Sequence, residues 1–236
     1  MTKMDGVVSD SRKFTAVIFD LDGTLLDTGE GVIAAVKDTS RQFGLRALTE
    51  AEYLRFNGPP MKQSLMKWFG LEEDVACEAT QYFRSCYLAS HLLKAKKYFR
   101  EDEVLSEMKK SGLRLGVATY KRTDCAQIIL EHFGLSEYFE VILGDTPQSS
   151  RTKADIIRLV LEALGGDAKH TVMVGDSPAD YAGAKEAGIA FIGMTYGYGF
   201  HPGDVVAPDV PLCKDMVELL TLVKYPPLQF TDSNLG

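Results

Sequence analysis

From residue 101 onward the chain repeats one pattern: an amphipathic helix, a glycine, then a short apolar strand. Glu101 to Ser111 leads through Gly112 to a strand over 113–119. Thr123 to Phe133 leads through Gly134 to 139–143, and Lys153 to Leu164 leads through Gly165 to 171–174. Pro178 to Ala187 leads through Gly188 to 189–192. Glycine just past a helix accepts the left-handed conformation that ends it. Repeated units of this kind mean right-handed crossovers, so the chain is expected to form a mostly parallel sheet with helices on both faces. A last helix is expected over 212–223 and surface coil from Tyr225-Pro226-Pro227 onward.

One strand precedes this series. Val17, Ile18 and Phe19 run without a polar interruption, which suits a strand buried on both faces of a parallel sheet. The run ends in Asp20-Leu21-Asp22-Gly23-Thr24. Carboxylates at the carboxyl end of such a strand sit where open α/β sheets bind ligands. Against an apolar core they are costly unless protonated, paired or metal-bound. A plain turn explains Asp22 and Gly23 but leaves Asp20 without a purpose.

Between this strand and the repeating series the pattern is wholly helical. Val32, Ile33, Val36 and Phe43 fit one amphipathic helix closed by Gly44, and Thr49-Glu50-Ala51-Glu52 has the form of a capping box. Asn57-Gly58-Pro59-Pro60 must break that second helix. Met61 to Phe69 and Glu72 to about Lys94 supply more. The expected organisation is a Rossmann-like, doubly wound core from 1–27 and 96–236, with an all-helical cap inserted at 28–95. Residues 1–13 read as a loose terminus.

The 236 residues are 45% hydrophobic and 25% charged, enough for a sizeable core. A net charge of −7 supplies no cationic surplus for a phosphate backbone, which excludes a general nucleic-acid binder. No apolar run approaches membrane-spanning length, and the first residues lack a signal peptide's apolar stretch. Cys77, Cys86, Cys125 and Cys213 form no CxxC pair and no zinc-like spacing with His91, His132, His170 or His201. They read as reduced thiols, and the expected location is cytoplasmic.

Three later positions fall at the edge carrying Asp20 and Asp22. Thr119 ends a strand, where a turn role and a phosphoryl-binding role stand about even. Lys153 opens a helix, where the dipole favours anions rather than a cation; it serves either solvent or a bound anion, with Arg151 beside it. Ser177 as N-cap and Pro178 after it make a helix start, so Asp180 can be a capping residue. Asp176 ends an apolar strand as Asp20 does. Hard oxygen ligands from two strand ends suit Mg²⁺. Gly197-Tyr198-Gly199-Phe200 has no helix start after it and reads as an ordinary loop.

Together these pieces resemble the haloacid dehalogenase superfamily of phosphotransferases. Asp20-Leu21-Asp22-Gly23-Thr24 is similar to its first motif, Thr119 and Lys153 to its second and third, and Gly175-Asp176-Ser177-Pro178-Ala179-Asp180 to its fourth. The helical insert resembles the superfamily's smaller cap type. Asn57-Gly58-Pro59-Pro60, Val117-Ala118-Thr119 and Arg151-x-Lys153 resemble the phosphoglycolate phosphatase and 5′-nucleotidase-like branch. Tyr120 stands where relatives often have Asn, and Ala154 where Pro commonly follows the lysine.

The resemblance implies a Mg²⁺-dependent phosphomonoester hydrolase. Asp20 would be the nucleophile, forming an aspartyl-phosphate, and Asp22 the general acid–base. Thr119 and Lys153 would hold the phosphoryl oxygens. The metal set would be Asp20, Asp22 through its carbonyl, and Asp176, with Asp180 orienting water or Lys153. Asn57, Lys62, Tyr120 and Arg151 are the candidate substrate contacts. The partner would be a small phosphorylated metabolite, with no nucleic acid or membrane, and the assembly a monomer or weak dimer. A phosphosugar mutase of the same superfamily and a phospho-acceptor signalling module remain as alternatives.

Overall fold

The computed structural model describes residues 14–146 and 151–226. The expectations for 1–13, for 147–150 and for the tail from 227 fall outside them. In chain order the elements begin β1 (Ala16–Phe19), β2 (Leu26–Asp27), α1 (Gly29–Gln42), α2 (Glu50–Leu54), α3 (Met61–Phe69) and α4 (Glu73–Cys86). A π-helical turn over Tyr87–His91 follows, then β3 (Lys96–Lys97), α5 (Glu101–Lys110), β4 (Arg114–Arg122), α6 (Thr123–His132) and β5 (Val141–Asp145). The remainder is α7 (Lys153–Ala163), β6 (Thr171–Gly175), α8 (Pro178–Ala187), β7 (Ala190–Met194), β8 (Leu212–Cys213) and α9 (Met216–Lys224).

Six strands form one parallel sheet in the order β5-β4-β1-β6-β7-β8. The strand alternation sorts β1 between two cores. Ala16 and Ile18 pack with Ile156, Ile157, Val160 and Ala184 of α7 and α8. Val17 and Phe19 face the other way, toward Leu105, Ile129, Leu130 and Leu219 of α5, α6 and α9. Helices on both faces explain why β1 carries no polar residue, and the α/β doubly wound expectation holds.

Because every strand is parallel, the carboxyl ends share one edge. Phe19 is level with Val117 of β4 and Val174 of β6, so Asp20, Thr119 and Asp176 emerge together. Near that edge β2 and β3 pair antiparallel, Leu26 with Lys97 and Asp27 with Lys96, where the chain leaves the sheet layer and returns. Between them the chain is helical, as its sequence pattern requires. Thr49 and Glu52 form the reciprocal capping box at the start of α2.

Three segments differ from expectation. Residues 212–213 are a strand, not a helix: they pair with Gly193 and Met194, and α9 starts only where the Asp215 side chain accepts the Glu218 N–H at 2.8 Å. The helix expected over 72–94 stays α-helical to Cys86 and then widens into the π-helical turn. β4 runs three residues past Thr119 to Arg122, with a register shift between Ala118 and Arg122 against β5. A bulge of this kind re-aims side chains. Thr119, Tyr120 and Lys121 all line the same cavity.

Candidate active site

Asp20, Asp176 and Asp180 bring one carboxylate oxygen each to within 4.8 Å of one another, and all three are buried. The Lys153 ammonium, also buried, reaches Asp20 Oδ1 and Asp180 Oδ1, each at 2.7 Å. Asp180 therefore does two things. Its Oδ2 accepts Ser177 N–H at 3.1 Å and the Ser177 hydroxyl at 2.6 Å, closing the capping box of α8, while its other oxygen holds Lys153. Asp176 Oδ2 accepts the backbone N–H groups of Tyr198 at 2.6 Å and Gly199 at 3.3 Å, and Thr24 Oγ1 lies 3.4 Å from its Oδ1.

One ammonium among three buried carboxylates leaves the cluster short of positive charge. Burial, with Asp180 and Asp22 adding to it against Lys153, holds the Asp20 carboxyl well above its usual range. Burial, then Asp180 and Asp20, does the same to Asp176. Burial pulls the Lys153 pKa down, but Asp180 and Asp20 outweigh it and the ammonium is retained. An all-oxygen, buried, charge-deficient donor set fits a hard divalent cation.

Asp22 lies apart from that trio. Its Oδ1 accepts the Thr28 hydroxyl and forms an ion pair with Lys121 Nζ at 2.9 Å. Lys121 also donates to the Tyr87 hydroxyl at 3.0 Å, with Nζ 4.6 Å from that ring. Thr119 is buried and its Oγ1 accepts the Lys121 N–H at 3.2 Å.

Asp20, Asp22, Thr119, Lys121 and Lys153 open onto a cavity of about 550 Å³ between the sheet edge and the inserted helices. Phe56, Met61, Phe83 and Tyr87 form its apolar side, with the Phe83 and Tyr87 rings stacked at 5.6 Å and 8°. Of the expected substrate contacts, Lys62, Tyr120 and Arg151 line it; Lys62 is also paired with Glu73 at 2.9 Å, and the Tyr120 hydroxyl accepts the Lys153 N–H at 3.0 Å. Asn57 does not line it. Its Nδ2 turns back to the Leu54 carbonyl at 3.2 Å and finishes α2.

The loop after β7 corrects the reading of Gly197-Tyr198-Gly199-Phe200 as an ordinary connection. It wraps Asp176, and the Tyr198 hydroxyl donates to Asp27 Oδ1 at 2.7 Å while accepting the Gly29 N–H at 2.7 Å. A Cβ at Gly197 would collide with Asp176 and the Gly23 carbonyl. Close approach of backbone to carboxylate is the signal those two glycines carried. The four cysteines are free, as expected, and the end of α4 with the π-helical turn brings Cys86 Sγ to 3.4 Å and His91 Nε2 to 2.7 Å from Asp38 Oδ2. Both contacts converge on Asp38, with Arg41 on its other oxygen, while His91 Nδ1 is buried without a hydrogen-bond partner among the described residues.

A parallel sheet whose edge gathers two acidic strand ends, a hydroxyl and a buried lysine beneath a helical insert is the arrangement of the doubly wound enzymes of the haloacid dehalogenase type. The chain belongs to the haloacid dehalogenase-like hydrolase family, whose sequence model matches residues 17–194. It is 34% identical over 188 residues to a 5′-nucleotidase of Pseudomonas aeruginosa, covering 79% of this chain and 85% of that one. A phosphoglycolate phosphatase of Rhodospirillum rubrum is 35% identical over 197 residues, with 79% and 82% covered. The solved structure of a predicted phosphatase from Clostridium acetobutylicum superposes with a TM-score of 0.84 at 33% identity, covering 89% of this chain and 98% of that chain. Among the described residues no helix is long and apolar enough to cross a membrane.

Proposed function

We propose that the chain is a Mg²⁺-dependent phosphomonoesterase that works through an aspartyl-phosphate on Asp20, and that its substrates are nucleoside monophosphates. The observation that carries this reading is that Asp20 and Asp22 face one cavity while being held by different lysines, Lys153 and Lys121. Two carboxylates with separate environments can take separate roles. Asp20 attacks phosphorus and the bond to the leaving oxygen breaks. Asp22 gives that oxygen its proton, then takes one from the water that hydrolyses the acyl phosphate, so phosphate leaves and both residues are restored. Thr119 and Lys153 orient the phosphoryl oxygens and compensate their charge. Asp20, the Asp22 carbonyl and Asp176 would hold Mg²⁺, whose charge when bound offsets repulsion between the nucleophile and the phosphate. Residues 28–95 act as the cap that excludes water and reads the leaving group.

The substrate class rests on the apolar side of the cavity. About 550 Å³ lined by Phe56, Met61, Phe83 and Tyr87 is far more room, and far more aromatic, than phosphoglycolate requires. Of the three arginines along the cavity wall, Arg84 and Arg122 are paired with Asp145 and Asp124, which leaves Arg151 beside Lys153 to meet the phosphate. With Mg²⁺ present, kcat/KM should be about tenfold or more higher for nucleoside monophosphates than for phosphoglycolate, sugar phosphates or pyrophosphate, a difference of about 1.4 kcal/mol in transition-state binding. Asp20→Asn should be inactive on all of them with its fold intact. A preference for phosphoglycolate overturns the substrate class. A phosphorylated product sugar or a stable phosphoprotein moves the reaction to the mutase or signalling alternative.

A further inference from the structure

We propose that Lys121 is a positioning residue, which holds the Asp22 carboxylate for proton transfer and links it to the cap through Tyr87. The proposal rests on the reading of Asp22 as the general acid–base. The Lys121 side chain is only 7% exposed. A buried ammonium must be matched by specific partners, and the partners show what it is for. They are Asp22 Oδ1 at 2.9 Å, the Tyr87 hydroxyl at 3.0 Å and the Tyr87 ring at 4.6 Å. Lys153, by contrast, is committed to Asp20 and Asp180. The two lysines therefore divide the site, one serving the nucleophile and the other the acid–base.

Three features give Lys121 this aim. The irregular end of β4 lets Thr119 and Lys121 share one cavity, and the Lys121 N–H is tied to Thr119 Oγ1 at 3.2 Å. Thr28, just before α1, donates to the same Asp22 oxygen that Lys121 holds. With both donors on Oδ1, proton exchange with the leaving oxygen falls to Oδ2. Tyr87 belongs to the π-helical turn after α4, so one contact of Lys121 comes from the inserted helices rather than the sheet. The acid–base is thus fully braced only while that segment lies over the site.

Such a brace matters in proportion to how much proton the leaving group needs. An alkoxide, as from a nucleotide ribose, requires protonation; p-nitrophenolate leaves without it. Lys121→Met should lower kcat/KM, which covers the departure of the leaving oxygen but not the later hydrolysis of the shared acyl phosphate, by on the order of 100-fold on a nucleoside monophosphate, yet change kcat/KM for p-nitrophenyl phosphate by less than about fivefold. Asp22→Asn should show the same split. Lys121→Arg should recover part of the loss, and Tyr87→Phe, which keeps the ring and its packing, should show a smaller loss with the same leaving-group dependence. Equal losses of kcat/KM on both substrates, or no loss at all, would overturn the proposal. If Lys121→Met does not fold, judged by circular dichroism, the Tyr87→Phe split decides alone. Asp20→Asn measured alongside separates the two ideas: activity surviving there defeats the phosphatase mechanism itself, whatever Lys121 does.

Discussion

Single residues in this protein are governed by what surrounds them more than by their type. Glu101 opens α5 as the first of Glu101-Asp102-Glu103, an acidic first turn of the kind that ordinarily faces solvent. It is 1% exposed, and neither carboxylate oxygen has a hydrogen-bond partner among the described residues. Burial, with Asp102 adding and Lys97 opposing, pushes its pKa up to about 9. The folded protein therefore keeps a proton that the unfolded chain gives up near the ordinary value of 4.5. Its stability contribution is complete below that value and falls as pH rises toward 9. Glu101→Gln should match the wild-type Tm at pH 5 and exceed it by several degrees at pH 8, at about 2–4 °C per kcal/mol. Parallel pH profiles for the two proteins would refute the assignment. Asp20 and Asp176 were legible because each interrupts the end of an apolar strand. Glu101 and Lys121 were not, since an acidic helix start and a lysine after a threonine look the same whether buried or solvated.

Elements show the same division between local and distant causes. The boundaries of α3 and α8, and the boxes at Thr49 and Ser177, follow from residues within a few positions of each other, and the sequence displays them. The loop after β7 depends on Asp176, which precedes Tyr198 by 22 residues, so its glycines gave no local sign of their purpose. Gly197→Ala tests that purpose. The added methyl group would collide with Asp176 and the Gly23 carbonyl and displace the carboxylate from its two N–H donors. The expected result is a loss of about 10–100-fold in apparent Mg²⁺ affinity, measured by titrating activity with the metal, as when a group that orients a metal ligand is removed. An unchanged Mg²⁺ requirement would mean the loop yields without moving Asp176.

At the scale of the whole molecule, the inserted helices and the sheet meet over the cavity through a few polar contacts. Lys121 reaches Tyr87, Tyr198 reaches Asp27 and Gly29, and Arg84 of α4 reaches Asp145 at the end of β5 at 3.1 Å. The last pair is the one to test for closure, because it spans the two layers without touching the proposed catalytic groups. Its side chains are 36% and 19% exposed, so the pair itself is worth about 0.2–1 kcal/mol, or up to about fivefold in the balance of closed over open forms. Asp145 Oδ1 is buried without a hydrogen-bond partner, so removing Arg84 alone leaves a poorly compensated carboxylate. Arg84→Ala should therefore raise KM a few-fold with kcat nearly retained. The double variant with Asp145→Ala should be no worse than Arg84→Ala, giving a coupling of about 0.5 kcal/mol or more in the cycle. Strictly additive effects would show that the two residues act independently and that closure is carried by the Tyr87 and Tyr198 contacts instead.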